Sequence, residues 1–183
     1  MPFTPLHLGP GLCGKFLAGR HLSLALFAGT QVAMDLEVGV RLLLGSGQLH
    51  GFTNTLPGAT VVVLVSVPLG KPLVEKLVGW WNRRLSPGQR PWLALFETLT
   101  WPSAWLGGIA GVYSHWFLDA LMHRDAQPFW PWSGANPLLP WLSGAQIDDL
   151  CLISGLVGAG ALGLYGVVVG QYPARSRRDN PLD

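Results

Sequence analysis

Residues 150–170 run for twenty-one positions without a charge, many of them small, and no other feature limits the fold so sharply. At about 1.5 Å per residue a helix of that length covers about 30 Å, the depth of a bilayer's hydrocarbon core. A backbone in that medium must satisfy its own hydrogen bonds, which favours helices. Composition agrees with this reading. Charged residues make up 12% and hydrophobic residues 49%, with nine Trp and a mean hydropathy of +0.34, against about 25% charge in a typical soluble domain. The expectation is an all-α fold: a polytopic membrane bundle of about four to five membrane-embedded helices plus an interfacial amphipathic helix. Residues 1–172 form one domain in this reading, and 173–183 a polar, disordered cytoplasmic tail.

The remaining segments follow in order. Residues 4–18 are apolar apart from His7 and Lys15, giving about 22 Å of helix, short of a full span. Residues 22–44 follow as a span interrupted by Gln31, Asp35, Glu37 and Arg41. A hairpin turning near Arg20 brings His7 and Asp35 to similar depth. Residues 56–70 form an apolar third helix, with a strand as second choice. In 71–85, Leu73, Val74, Leu77, Val78, Trp81 and Leu85 recur at helical spacing among basic residues, the pattern of an interfacial helix. Residues 92–122 hold the next span, with Trp101-Pro102 as a kink or start and Gly107, Gly108 and Gly111 as a smooth packing face. Residues 124–144, rich in Trp and Pro, form a loop suited to headgroup level. Lys15 and Arg20, the group from Lys71 to Arg90, and Arg175, Arg177 and Arg178 fall on one side when spans alternate. The positive-inside rule makes that side, and the C-terminus, cytoplasmic.

Several classes are excluded. A net charge of +2 in short clusters gives no footprint for nucleic acid, and Cys13 and Cys151 form neither a CxxC motif nor a disulfide framework. The N-terminus has no basic region followed by a cleavage site, so it is expected to be retained.

The candidate chemistry centres on His115, Asp119 and His123, spaced four apart and therefore on one stripe of a helix. Asp119 lies in an apolar stretch, where an unpaired carboxylate is costly. His7, Asp35, Glu37, His50 and Asp125 join them in the outer half of the bundle. Imidazole and carboxylate without thiolate suit Zn²⁺ first, with Mn²⁺ or Fe²⁺ as alternatives, and several carboxylates allow two ions. Plainer roles compete. His7 suits a helix cap, Glu37 suits an i,i+4 pair with Arg41, and His50 suits a solvated loop. Asp148 and Asp149 suit the dipole of the last helix, and His21 suits the basic interface.

Four stretches carry a family resemblance: Thr4-Pro-Leu-His7, Met34-Asp35-Leu-Glu37, His50-Gly-Phe-Thr-Asn54 and Ser114-His115-Trp-Phe-Leu-Asp119, followed by Pro128-Phe-Trp-Pro131. In that order, over residues 1–139, they resemble the membrane-bound metal-dependent hydrolases, the inner membrane-associated hydrolase family. Asn54 stands where that family often has histidine, and Met34 where it has proline.

The resemblance implies a metal site and an ester or phosphoester substrate, lipid or lipid-linked. The resulting expectation gives His7, Asp35, His115, Asp119 and Asp125 as metal ligands, and Glu37, His50 and His123 as catalytic groups. The partners are membrane lipids. A cation or proton transporter using the same cluster, or a scaffold with a degenerate site, are the alternatives.

Overall fold

The four long helices each open on a hydroxyl. Ser23 Oγ accepts from Leu26 N (3.2 Å), Thr55 Oγ1 from Gly58 N (3.1 Å), Thr100 Oγ1 from Ser103 N (3.3 Å) and Ser143 Oγ from Gln146 N (3.3 Å). Gln146 Oε1 accepts in return from Ser143 N, completing a capping box. Proline falls at the start of the helices that follow Thr55 and Thr100, where its missing N–H costs nothing.

The computed structural model describes residues 5–95, 99–139 and 141–178. Among these, every regular element is helical. A 3-10 turn, Pro5–Leu8, leads into α1 (Gly9–Ala18), and a second, Gly19–His21, leads to α2 (Leu24–Leu43). A third, Phe52–Asn54, precedes α3 (Leu56–Arg84), followed by α4 (Arg90–Leu93), α5 (Trp101–Met122) and α6 (Gly144–Arg178). Among the described residues one helix is long and apolar enough to cross a membrane, over Gly144–Val167.

Two expectations about segment boundaries are corrected. Residues 71–85 are not a separate interfacial helix, because α3 runs unbroken from Leu56 to Arg84 through Pro68 and Pro72. Both prolines are exposed and four apart, so the defects fall on one outer stripe while Val63 and Val67 keep the packed face intact. The tail is shorter than expected: α6 continues through residues 173–178, and residues 179–183 lie outside the described residues.

Glycines set how closely the helices approach. A Cβ on Gly107 would strike the Ser23 carbonyl, and one on Gly111 the Phe27 carbonyl, so α5 lies against α2 nearly backbone to backbone. In the same way Gly9 faces the Cys151 carbonyl, and Gly158 faces Leu12 and Cys13, joining α1 to α6. The Cys13 thiol donates to Ser154 O (2.9 Å) across that seam. Leu26, Met34, Val63, Val67, Ala104 and Val112 fill the core between α2, α3 and α5, while Leu121, Ile147 and Cys151 form a second cluster under Leu6.

Candidate metal centre

The i,i+4 stripe on α5 points into the bundle. His115 is 1% exposed and Asp119 3%, and their closest atoms, Nε2 and Oδ2, are 3.0 Å apart. His123 caps the helix, donating its backbone N–H to Asp119 O at 2.8 Å, and its Nε2 lies 3.8 Å from Asp119 Oδ1. The remaining contacts come from outside α5. His7, 2% exposed on the first 3-10 turn, brings Nδ1 to 3.9 Å from Asp119 Oδ1. His50, from the loop after α2, brings Nε2 to 3.9 Å from Asp119 Oδ2. Asp35 on α2 sets Oδ1 3.4 Å from His115 Nε2. Four histidines from three stretches of chain thus turn a ring nitrogen toward one carboxylate.

Most of these approaches are too long for hydrogen bonds, and the shortest is misaligned for one. Both ring nitrogens of His7, both of His115 and Asp119 Oδ2 are buried without a hydrogen-bond partner. Leaving such atoms bare costs about 1–3 kcal/mol each, so the arrangement fits a ligand that accepts all of them. Atoms about 2.1 Å from a shared tetrahedral ion stand about 3.4 Å apart. The observed 3.0–3.9 Å brackets that value. The residues therefore fit a divalent cation: His7, His115 and Asp119 offer donor atoms within 4.8 Å of one another, as do His50, His123 and Asp125.

Hydrogen bonds fix the levels of the parts. Gln31 Nε2 donates to His7 O at 3.1 Å, pinning the N-terminal turn one helical turn from Asp35, as the hairpin reading requires. The loop carrying His50 hangs on Asp125. Its Oδ1 meets His50 Nδ1 (2.9 Å), and its Oδ2 accepts from Leu49 N (2.7 Å) and His50 N (3.0 Å). Partial burial pushes the Asp125 carboxyl up, but the bonds from His50 and Leu49 outweigh it and bring it down to about 2. The His50 and His123 rings stack at 4.0 Å. Burial, then the neighbouring His50, push His123 down to about 4, which keeps its imidazole neutral at pH 7, the form a metal ligand requires.

The structure settles the surroundings of three residues. Glu37, expected as a catalytic group, instead clasps the loop: it pairs with Arg41 (2.8 Å) and accepts from Phe52 N, Thr53 N and Thr53 Oγ1. Its carboxylate is spent on backbone and on Arg41, which leaves no lone pair suited to base catalysis. His50 is not a solvated loop residue; it is 2% exposed. Asn54 is 1% exposed, with both amide atoms unpartnered, on a turn packed against α2, α3 and α5.

Two residues escaped the sequence reading. Gln31 is an amide inside an apolar span, and that mismatch was its signal. Asp148, read as a dipole residue, has a buried Oδ1 without a partner, and its charge acts on His7. Helix α6 begins at Gly144, so Asp148 lies a full turn inside it. His21 is exposed at the α1–α2 turn, away from these contacts.

Comparison of the chain with protein-family models, with curated proteins and with solved structures finds no match to any of the three.

Proposed function

We propose that this chain is a membrane-embedded, metal-dependent hydrolase that cleaves an ester or phosphoester of a lipid or lipid-linked substrate. One observation carries the reading: four histidines converge on a buried carboxylate at ligand spacings, with unpartnered atoms between them. The chemistry a divalent ion supplies in such a cluster is an acidified water and a counter-charge for the developing oxyanion. His7, His115, Asp119 and Asp35 hold it in this reading, with Zn²⁺ as first choice and Mn²⁺ or Fe²⁺ next. Water is the second reactant; its oxygen bonds to the acyl carbon or phosphorus while the alcohol departs with one proton.

Apolar outer faces support embedding of more than α6. Leu36 and Val40 on α2, Leu64 and Leu69 on α3, and Ile109 and Phe117 on α5 are all exposed, a surface that lipid covers better than water. The site lies near the start of α1 and α6 and the end of α5. Lys15, Arg83, Arg84 and the arginines ending α6 lie at the opposite helix ends. With basic ends cytoplasmic, the site opens in the outer half of an inner membrane. The motif resemblance in residues 1–139 adds to this.

Elemental analysis of detergent-purified protein, wild type beside Asp119→Ala, is the test. Wild type carries stoichiometric Zn, Mn or Fe and releases product from chromogenic esters, and the variant does neither. Stoichiometric metal with cation flux across vesicles and no hydrolysis would replace the enzyme by a transporter; a metal-free, inert wild type would end the reading.

A further inference from the structure

The donor atoms around Asp119 sort into two sets. His7 and His115 stand with Asp119 in one; His50 and His123 form the other, beside Asp125. Asp119 reaches both, because its Oδ2 is 3.0 Å from His115 Nε2 and 3.9 Å from His50 Nε2, while its Oδ1 is 3.9 Å from His7 Nδ1 and 3.8 Å from His123 Nε2. Asp119 therefore stands between the two sets, with every one of the four ring nitrogens within 3.9 Å of a carboxylate oxygen.

The second set also has its tautomer fixed. Both oxygens of Asp125 are occupied, one on the His50 ring and one on two backbone N–H groups. His50 Nδ1 therefore carries the proton, and the lone pair on Nε2 faces Asp119. A carboxylate behind a histidine is the usual outer support of a metal ligand. Asp125 then supports His50 and does not touch the ion, which alters the role expected for it from sequence. The stacked His50 and His123 rings, 4.0 Å apart and 20° from parallel, both turn Nε2 toward the Asp119 carboxylate. Asp119 is 3% exposed and its Oδ2 makes no aligned hydrogen bond.

We infer that the cluster holds two divalent ions bridged by Asp119, the second on His50 and His123 with Asp125 behind His50, and that its substrate class is a phosphoester. This rests on the metal-centre reading above and extends it. Paired ions about 3.5–4 Å apart match the attacking and leaving oxygens of an in-line phosphoryl displacement. In the balanced step, the oxygen of water bonds to phosphorus as the P–O bond to the alcohol breaks. The alcohol oxygen leaves with the bonding pair and takes one proton from water, and the other proton stays with the phosphate.

The test titrates metal-stripped, detergent-solubilised full-length protein with Mn²⁺, reading stoichiometry by elemental analysis and ion-ion coupling by electron paramagnetic resonance. Wild type should take two ions per chain and show an exchange-coupled spectrum. His50→Gln with His123→Gln should take one and give the spectrum of an isolated ion, with the helical circular dichroism of wild type. Should that pair misfold, Asp125→Asn serves instead, with the second affinity lowered about 10–100-fold. One ion in wild type with an uncoupled spectrum overturns the two-ion inference and leaves the single-ion hydrolase standing; no bound ion removes both. Loaded protein should cleave 4-nitrophenyl phosphoesters at least tenfold faster than 4-nitrophenyl acetate, and the reverse preference overturns the substrate class.

Discussion

The two histidine sets sit within a few ångströms of each other and are built in opposite ways. His7 and His115 come from helical elements, are almost wholly buried, and have no hydrogen bond on any ring nitrogen. His50 belongs to a loop, and its ring and backbone are tied to Asp125. Helix packing places His115, since the Gly107 and Gly111 approach to α2 fixes α5, and Gln31 holds the turn of His7 by its backbone carbonyl. A loop has no such frame, so its histidine needs a carboxylate to aim it. Rigid helices can thus hold imidazoles in place without hydrogen bonds to their rings, whereas a loop histidine is held by hydrogen bonds of its own.

The largest expected effect comes from removing what the two sets share. Asp119→Asn should lower metal affinity by more than about 100-fold, beyond the range for an outer partner. The metal-free variant should also be less stable than metal-free wild type, by about 1–3 kcal/mol, because the His115 imidazole 3.0 Å away loses its counter-charge. Calorimetry on stripped samples checks the sign; a more stable variant would mean that the carboxylate has no partner without metal.

His115→Ala comes next and should separate the sets. It removes the centre of the helix-borne set, so metal should fall to the share that His50 and His123 hold, with loss of at least half the total by elemental analysis. Loss of every ion would show that the loop set cannot bind alone.

Asp125→Asn should act through the loop only. The Asp125 pKa in the folded chain, about 2, lies below the usual value near 3.9. Its contribution is therefore complete above about pH 4 and lost as the pH falls toward 2. In wild type, amide exchange at Leu49 and His50 should stay protected from pH 7 down to about 4 and open below it. The variant should be unprotected by about tenfold across that range, and unchanged exchange would remove Asp125 as the anchor of the loop.

Glu37→Gln should have the smallest effect. It weakens a clasp on Phe52 and Thr53 that is partly open to solvent, costing about 1 kcal/mol. Metal content should stay at the wild-type value; a fall of more than about twofold would return Glu37 to the site.

Much of the chain was legible before any coordinates. The four-residue steps from His115 to His123 mark a stripe by a local rule, and Gly107, Gly108 and Gly111 mark a packing face. The hairpin that levels His7 with Asp35 needed only helix rise. Glu37 and Asp125 show where such rules stop. Each is an acid beside a histidine-bearing loop, and each pins that loop, yet only Asp125 bonds to a histidine ring. Which acid does so depends on how the 45–55 segment folds across the ends of α2 and α5. No spacing within one segment encodes that.

The sequence by itself determined the helical class, the apolar α6, the glycine face of α5 and the stripe of His115, Asp119 and His123, because these depend on neighbours within about four residues. Tertiary structure alone decided that α3 continues through Pro68 and Pro72, that Asn54 is buried, that Asp148 turns a carboxylate oxygen inward, and that four histidines share Asp119. These are contacts between segments distant in the chain. They are set by how closely the helix backbones approach, and that distance exists only once the bundle has packed.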